Sequence, residues 1–227
     1  MQEAPKELPE SFCAKSANKE FAAKPSVRPN RRAATRLVAI GVSTGGPSTL
    51  LDVVPLFPAD LNAAVVIVQH MPENFTGPFA QRLNKFSAIP VKESAPGDIL
   101  LAGHGYLARG DKHLMFSKPS PTQPAMIRAV SEPSDVHHRP SVDIMMKSAV
   151  ETFGHNTIGV LLTGMGSDGA EGMVEIRNAG GQTIAEDEST CVVFGMPAQA
   201  IQRGGAVHVL PSHRIAEKVM RLLGHRV

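Results

Sequence analysis

Three apolar runs in this 227-residue chain end on three residue types that together perform acyl transfer: LVAIGVS on Ser43, AAVVIVQH on His70 and TIGVLLTGMGSD on Asp168. A serine hydroxyl is a poor nucleophile until a neighbouring imidazole accepts its proton, and that imidazole needs a carboxylate to fix its tautomer and stabilise its cation. Gly41-Val42-Ser43-Thr44-Gly45 fits G-x-S-x-G, the sharp strand-to-helix turn that holds a serine forward. Glycines relieve crowding at such a bend, and the helix after it aims free amides at developing negative charge. The same GVSTGG segment also fits a phosphate cradle, although it lacks both G-x-G-x-x-G and the lysine of a P-loop. On its own the motif serves either chemistry.

Each partner also has a plainer reading. Alone, His70 reads as a structural histidine, and Asp168 reads as the N-cap of the helix after it. Ser43 gives His70 a proton to accept, and His70 gives Asp168 a ring to orient. None of the other eight histidines so plainly ends a core strand. Glycines in Thr163-Gly164-Met165-Gly166-Ser167-Asp168-Gly169 free backbone amides, that of Met165 among them, for an oxyanion. His138-Arg139-Pro140-Ser141-Val142-Asp143 is either a loop with a capping serine or a wall of the cleft. Phe194-Gly195-Met196-Pro197 is either a strand-to-helix turn or apolar lining of that cleft.

The elements that must carry these residues alternate. Short β-branched runs of this kind are buried parallel strands, and ligands sit beyond their carboxyl ends. After RLVAIGVS comes a helix with Pro47 in its first turn; after AAVVIVQH, a helix over about 77–85; after TIGVLLTG, a helix over about 170–179. Further helices are expected over 141–153, near 197–202 and over about 212–223, with strand-like runs at GQTIAED, CVVFG and VHVL. Between about 91 and 131 the runs VKES, DILLAG, YLARG, HLMFS and MIRAVS are short and broken by Gly, Pro and Asp, so they read as inserted antiparallel hairpins. The fold class is α/β, a doubly wound, mostly parallel sheet with helices on both faces. The order Ser43, His70, Asp168 departs from the α/β-hydrolase order of serine, acid, histidine, so the sheet is Rossmann-like instead.

Composition bounds the function. Hydrophobic content of 42% with 19% charged residues is globular, and no apolar stretch approaches the roughly 20 residues of a membrane helix. Prolines and acidic residues in MQEAPKELPESF do not make a secretory signal, which leaves the cytoplasm as the expected compartment and direct membrane insertion excluded. Residues 1–35 are expected to be a disordered tail or interdomain linker, with an amphipathic helix around Ser11 to Ala23 as the alternative, and residues 36–227 the catalytic domain. The first 36 residues hold eight basic and four acidic side chains, so the remainder is nearly neutral. With no Trp and a single Tyr, this excludes a nucleic-acid-binding core. Cys13 and Cys191 form neither a disulfide framework nor a metal site.

Together, IGVSTGGP, VQHMP, HRPSVD, LLTGMGSDG and AEDESTCVVFGMP resemble, in order, the catalytic domain of bacterial chemotaxis protein-glutamate methylesterases of the CheB type. The resemblance runs from about Leu37 to the C-terminus. It implies a triad of Ser43, His70 and Asp168, and oxyanion amides at Thr44 and Met165. It also implies an open cleft walled by Met71, Arg139 and Met196. The implied reaction is hydrolysis of γ-glutamyl methyl esters on chemoreceptor cytoplasmic helices, releasing methanol, with deamidation of selected receptor glutamines. No cofactor and no metal are implied. The implied partners are the methylated receptor domain and a receiver domain or chemotaxis kinase in a longer or separate chain. Residues 1–36 are too short to be the receiver domain that family members commonly carry.

Overall fold

A computed structural model describes residues 32–225; the expected tail over 1–31, including the alternative helix around Ser11 to Ala23, lies outside the described residues. Arg32 and Ala34 already pair with the 100–102 segment, through Ala102 N–H to Arg32 O (3.0 Å) and Ala34 N–H to Leu100 O (2.8 Å).

The three strands in the middle of the sheet are β1 (Leu37–Val42), β2 (Ala64–Gln69) and, further along the chain, β7 (Thr157–Leu161). Every residue of these strands is buried, as expected of continuous β-branched runs covered on both faces. Between β2 and β7 the chain forms β3 (Val91–Glu93), β4 (Gly105–Leu107), β5 (His113–Ser117) and β6 (Met126–Val130); after β7 come β8 (Gln182–Glu186) and β9 (His208–Leu210). The main sheet is seven-stranded and parallel, in the order β3-β4-β2-β1-β7-β8-β9. The expected hairpin region is smaller than the sequence suggests. Among the described strands only β5 and β6 pair antiparallel, joined by isolated antiparallel bridges such as Ile99 to Met126, whereas VKE and GYL extend the parallel sheet beside β2. Three-residue strands carry too little periodicity to declare their direction.

Among the described residues six α-helices cover the sheet: α1 (Gly46–Val53), α2 (Glu73–Phe86), α3 (Val142–Phe153), α4 (Ala170–Asn178), α5 (Met196–Gln202) and α6 (Ser212–Leu222). Alternation along β1 sorts them. Val38, Ile40 and Val42 pack with Leu50 and Val53 of α1, Phe79 and Leu83 of α2, and Ile215 and Val219 of α6. Leu37 and Ala39 point the other way, toward Met145 and Met146 of α3, Met173 and Ile176 of α4, and Ala200 of α5. Each fully buried Leu, Ile, Val or Met contributes roughly 1.5–3 kcal/mol, so the two layers hold the strand ends firmly. Helix α2 starts four residues earlier than Gly77-Pro78 suggests, because Glu73 opens the first turn after Pro72 and the helix tolerates Pro78 near its start. CVVFG is not a strand; Phe194 makes only an isolated bridge to Gly164.

Chain order reverses at β1, which is succeeded in sequence by β2 on one side and flanked by β7 on the other. A crevice opens at such a switch point, beyond the carboxyl ends. Register brings the three ends level, with Val42 opposite Gln69 and Gly41 opposite Leu161.

Candidate active site

Ser43 comes directly after β1 and is tied to the strands on both sides. Its N–H donates to Thr163 O (3.0 Å), and its carbonyl accepts from Gly46 N–H (2.9 Å) and from Gln69 Nε2 (3.0 Å). The turn demands glycine twice. Gly45 sits at φ +84°, where a Cβ would lie 2.5 Å from Val192 Cβ, and a Cβ on Gly46 would lie 2.0 Å from Gln69 Oε1. The start of α1 offers little to a phosphate, since Gly46 N–H is already bonded to Ser43 O, Pro47 has no N–H, and Ser48 N–H bonds Gly45 O (3.2 Å). Among the described residues the Thr44 and Met165 amides donate to no protein acceptor. The geometry therefore favours a nucleophile turn with a few free amides over an anion cradle.

His70 comes directly after β2, with its N–H bonded to Val42 O (3.1 Å), which sets it beside the Ser43 turn. Nε2 of its ring lies 2.8 Å from Asp168 Oδ2, and Nδ1 is buried with no hydrogen-bond partner. The ring of His138 stacks on that of His70, with centroids 3.9 Å apart and planes 17° from parallel.

Asp168 does not cap the helix after it. Gly169, at φ +94°, is the N-cap of α4, and no side chain caps that helix. Instead the carboxylate lies at the start of α3, where it accepts from Val142 N–H (2.7 Å), Asp143 N–H (3.0 Å) and the Ser141 hydroxyl (2.8 Å), besides the His70 ring. Burial by itself would raise its pKa, but the hydrogen bonds from His70, the two α3 amides and Ser141 prevail and hold it at about 2. Asp168 is thus an anion, able only to accept, so the ring proton that meets it is on His70 Nε2, and in the neutral ring Nδ1 is the nitrogen able to accept.

The approach of α3 depends on glycine again. A Cβ on Gly41 would lie 2.2 Å from Val142 Cγ1, and one on Gly169 would lie 2.6 Å from the same atom. Two absent methyl groups therefore let the amide end of α3 reach Asp168.

Supporting contacts extend outward. Gln69 Nε2 bridges the carbonyls of Ser43 and His70, both at 3.0 Å, and so ties β1 to β2. Fully buried Glu186 accepts from Thr163 N–H (2.8 Å) and the Thr190 hydroxyl (2.9 Å); burial raises its pKa against those bonds. Buried His113 accepts the Ser141 N–H at Nδ1 (3.2 Å) and faces Pro133 O through Nε2 (3.0 Å), and burial lowers its pKa. It is therefore a neutral ring that anchors the residue donating to Asp168.

An open pocket of about 330 Å³ beside His70 is lined by His70, Met71, Pro72, His137, His138 and Arg139. Met71 and Arg139 thus line this pocket. Met196 does not. It is fully buried at the start of α5, its sulfur 2.3 Å from where a Cβ on Gly164 would stand, so it supports Gly164 from beneath. Met165 and Val192 are the exposed apolar residues near Ser43. Ser141 is the capping serine, its hydroxyl accepting from Ile144 N–H (3.4 Å), and it also donates to Asp168 (2.8 Å), a contact the sequence reading does not foresee; of its segment, His138 and Arg139 line the pocket. Gln69 and His113 escape the sequence reading, and His138, named there only within a loop or cleft wall, gives no sign of its contact with His70, since a ring's stacking partner leaves no mark on spacing.

Comparison with known proteins gives a consistent result. The family model for CheB methylesterase matches residues 38–219. A protein-glutamate methylesterase/protein-glutamine glutaminase of Carboxydothermus hydrogenoformans is 47% identical over 189 residues, 83% of this chain and 53% of that protein. One from Geobacter metallireducens is 45% identical over 201 residues, 88% of this chain and 56% of that protein. The chain spans about half the length of the curated relatives it matches. The crystal structure of the Thermotoga maritima CheB methylesterase catalytic domain superposes with a TM-score of 0.79 at 41% identity, covering 82% of this chain and 98% of that one.

Proposed function

From the premise that the chain belongs to the CheB methylesterase family, we propose that it hydrolyses γ-glutamyl methyl esters on the cytoplasmic helices of chemoreceptors, and that the same site deamidates selected glutamines. The observation that carries this reading is the 2.8 Å contact between His70 Nε2 and Asp168, with His70 directly after a strand end that is level with the one before Ser43.

In this mechanism Ser43 Oγ attacks the ester carbonyl while His70 accepts its proton at Nδ1, the nitrogen turned away from Asp168. Asp168 remains an anion throughout; it fixes the tautomer and stabilises the imidazolium. The Thr44 and Met165 amides receive the developing oxyanion, and donors of this kind each account for about 10²–10³ in rate. His70 then protonates the departing alkoxide, releasing methanol, or the departing amine in the deamidation, releasing ammonia. Water, with its proton taken by His70, attacks the acyl-serine and leaves a glutamate carboxylate on the receptor. Exposed Met165 and Val192 suit contact with an apolar helix face rather than enclosure of a small molecule.

The partners accord with the same reading: the methylated receptor domain as substrate, and a receiver domain or chemotaxis kinase as the control element. Cytoplasmic location goes with that substrate. Among the described residues no helix is long and apolar enough to cross a membrane.

Methanol release from a methylated receptor fragment tests the proposal. Ser43→Ala should lower kcat by about 10⁴-fold or more with folding intact, because members of such a unit fail together. Undiminished release would remove Ser43 from its role.

A further inference from the structure

The bond to Asp168 leaves one degree of freedom of His70 uncontrolled. A hydrogen bond fixes where Nε2 sits, but a histidine ring turns easily about its last side-chain torsion. Such a turn would redirect Nδ1 while keeping Nε2 near Asp168. What fixes the plane is the second contact: the His138 ring lies parallel to it at 3.9 Å and 17°. We infer that His138 is a positioning residue, which holds the His70 ring in plane for proton transfer with Ser43 and offers it an uncharged π face while His70 is a cation. This rests on the proposed hydrolase reading.

The charge around His138 suits that role. His70 faces it from the end of β2 and Asp168 from the loop before α4, and His137 and Arg139 flank it on its own loop. Partial burial pushes its pKa below the ordinary histidine range, and the neighbouring His70 adds to this against the opposing pull of Asp168. His138 is therefore neutral when His70 takes up the serine proton. A cation prefers a neutral ring face to a second cation. The residue belongs to the open pocket lined by Met71, Pro72 and Arg139, so its outer side borders the substrate, and its ring restricts water above the imidazole.

Three substitutions separate plane, charge and bulk. His138→Ala should lower kcat for methanol release by about tenfold, with a smaller change in KM, in keeping with the penalty for a misplaced catalytic group. His138→Phe, planar and uncharged, should recover most of that loss, to within about threefold of the wild type. His138→Lys should be slower than His138→Phe, and its acid limb of kcat/KM should lie about one pH unit lower, because a fixed cation opposes protonation of His70. A readout independent of turnover is the ring ¹⁵N spectrum of His70. Because Asp168 sets the tautomer, an Nε2-protonated ring is expected in all three, with narrow ring lines in the wild type and His138→Phe and exchange-broadened lines in His138→Ala as the ring samples more than one plane. Wild-type kcat in His138→Ala, or equal rates and equal acid limbs for the Phe and Lys variants, would overturn the inference, as would an unchanged His70 spectrum in His138→Ala. If the wild type itself released no methanol, the hydrolase reading would fall, while the spectra would still judge the ring contact.

Discussion

His70 lies between two unlike regions. Beneath it, the ends of β1, β2 and β7 are locked by register, by two fully buried packing layers and by glycines that admit close approach. Above it, the loop carrying His137, His138 and Arg139 belongs to no helix or strand, and its histidines are exposed. The difference teaches a division of labour: the framework sets where Ser43, His70 and Asp168 stand and which His70 nitrogen meets Asp168, and the loop, through His138, sets the plane of the His70 ring. Framework substitutions should therefore cost rate and stability together, whereas loop substitutions should cost rate with little loss of stability.

The largest expected effect within the framework is on Asp168. Asp168→Asn should lower kcat by about 10³–10⁴-fold, since the amide carries no charge to stabilise the imidazolium and its NH2 group, donating to the ring, favours the wrong tautomer. A loss under tenfold in methanol release would mean that the framework does not orient His70.

Gly41→Ala comes next. It drives a methyl group into Val142 at the start of α3, so unfolding in urea should show a loss of about 1–3 kcal/mol together with slower turnover. If stability falls and kcat does not, α3 is not what positions Asp168. His138→Ala supplies the contrast, with its midpoint close to that of the wild type.

The acid response of stability is comparable in size. Asp168 titrates at about 2 in the folded chain against an ordinary 3.8, so its contribution is fully present above about pH 4 and is lost as pH falls through 2. That contribution is on the order of 2 kcal/mol. Denaturant titrations from pH 6 to pH 2 should show a steeper loss for the wild type than for Asp168→Asn; parallel curves would contradict the assigned hydrogen bonds. Smallest of all, Lys147→Met removes exposed ion pairs between α3 and α4 and should change stability by about 0.5 kcal/mol or less.

Much of this is legible in the sequence, and for physical reasons. Continuous runs such as AAVVIVQ announce buried parallel strands, and a residue just past the carboxyl end of a parallel strand stands at the crevice, so Ser43 and His70 are visible as strand endings and Asp168 as part of the loop that follows β7. Asp168 also reads as a cap of its own helix, and its real contacts, the amides of α3, depend on two glycines meeting one valine across 101 and 27 residues of chain. Such close approaches are properties of packing and leave no periodic trace. Met196 misleads for a related reason: an apolar residue at a turn serves a cleft or a core equally well until the sulfur's neighbour, Gly164, is known. The direction of β3 and β4 cannot be read from three residues each.

The central claim is that Ser43 is a nucleophile activated by His70 and Asp168 as a unit. Covalent labelling with a serine-directed acylating reagent, mapped by peptide mass spectrometry, tests it most directly. The account predicts modification at Ser43 in the folded protein and a loss of labelling in both His70→Gln and Asp168→Asn. Labelling of another residue, or undiminished labelling of Ser43 in His70→Gln, would contradict it.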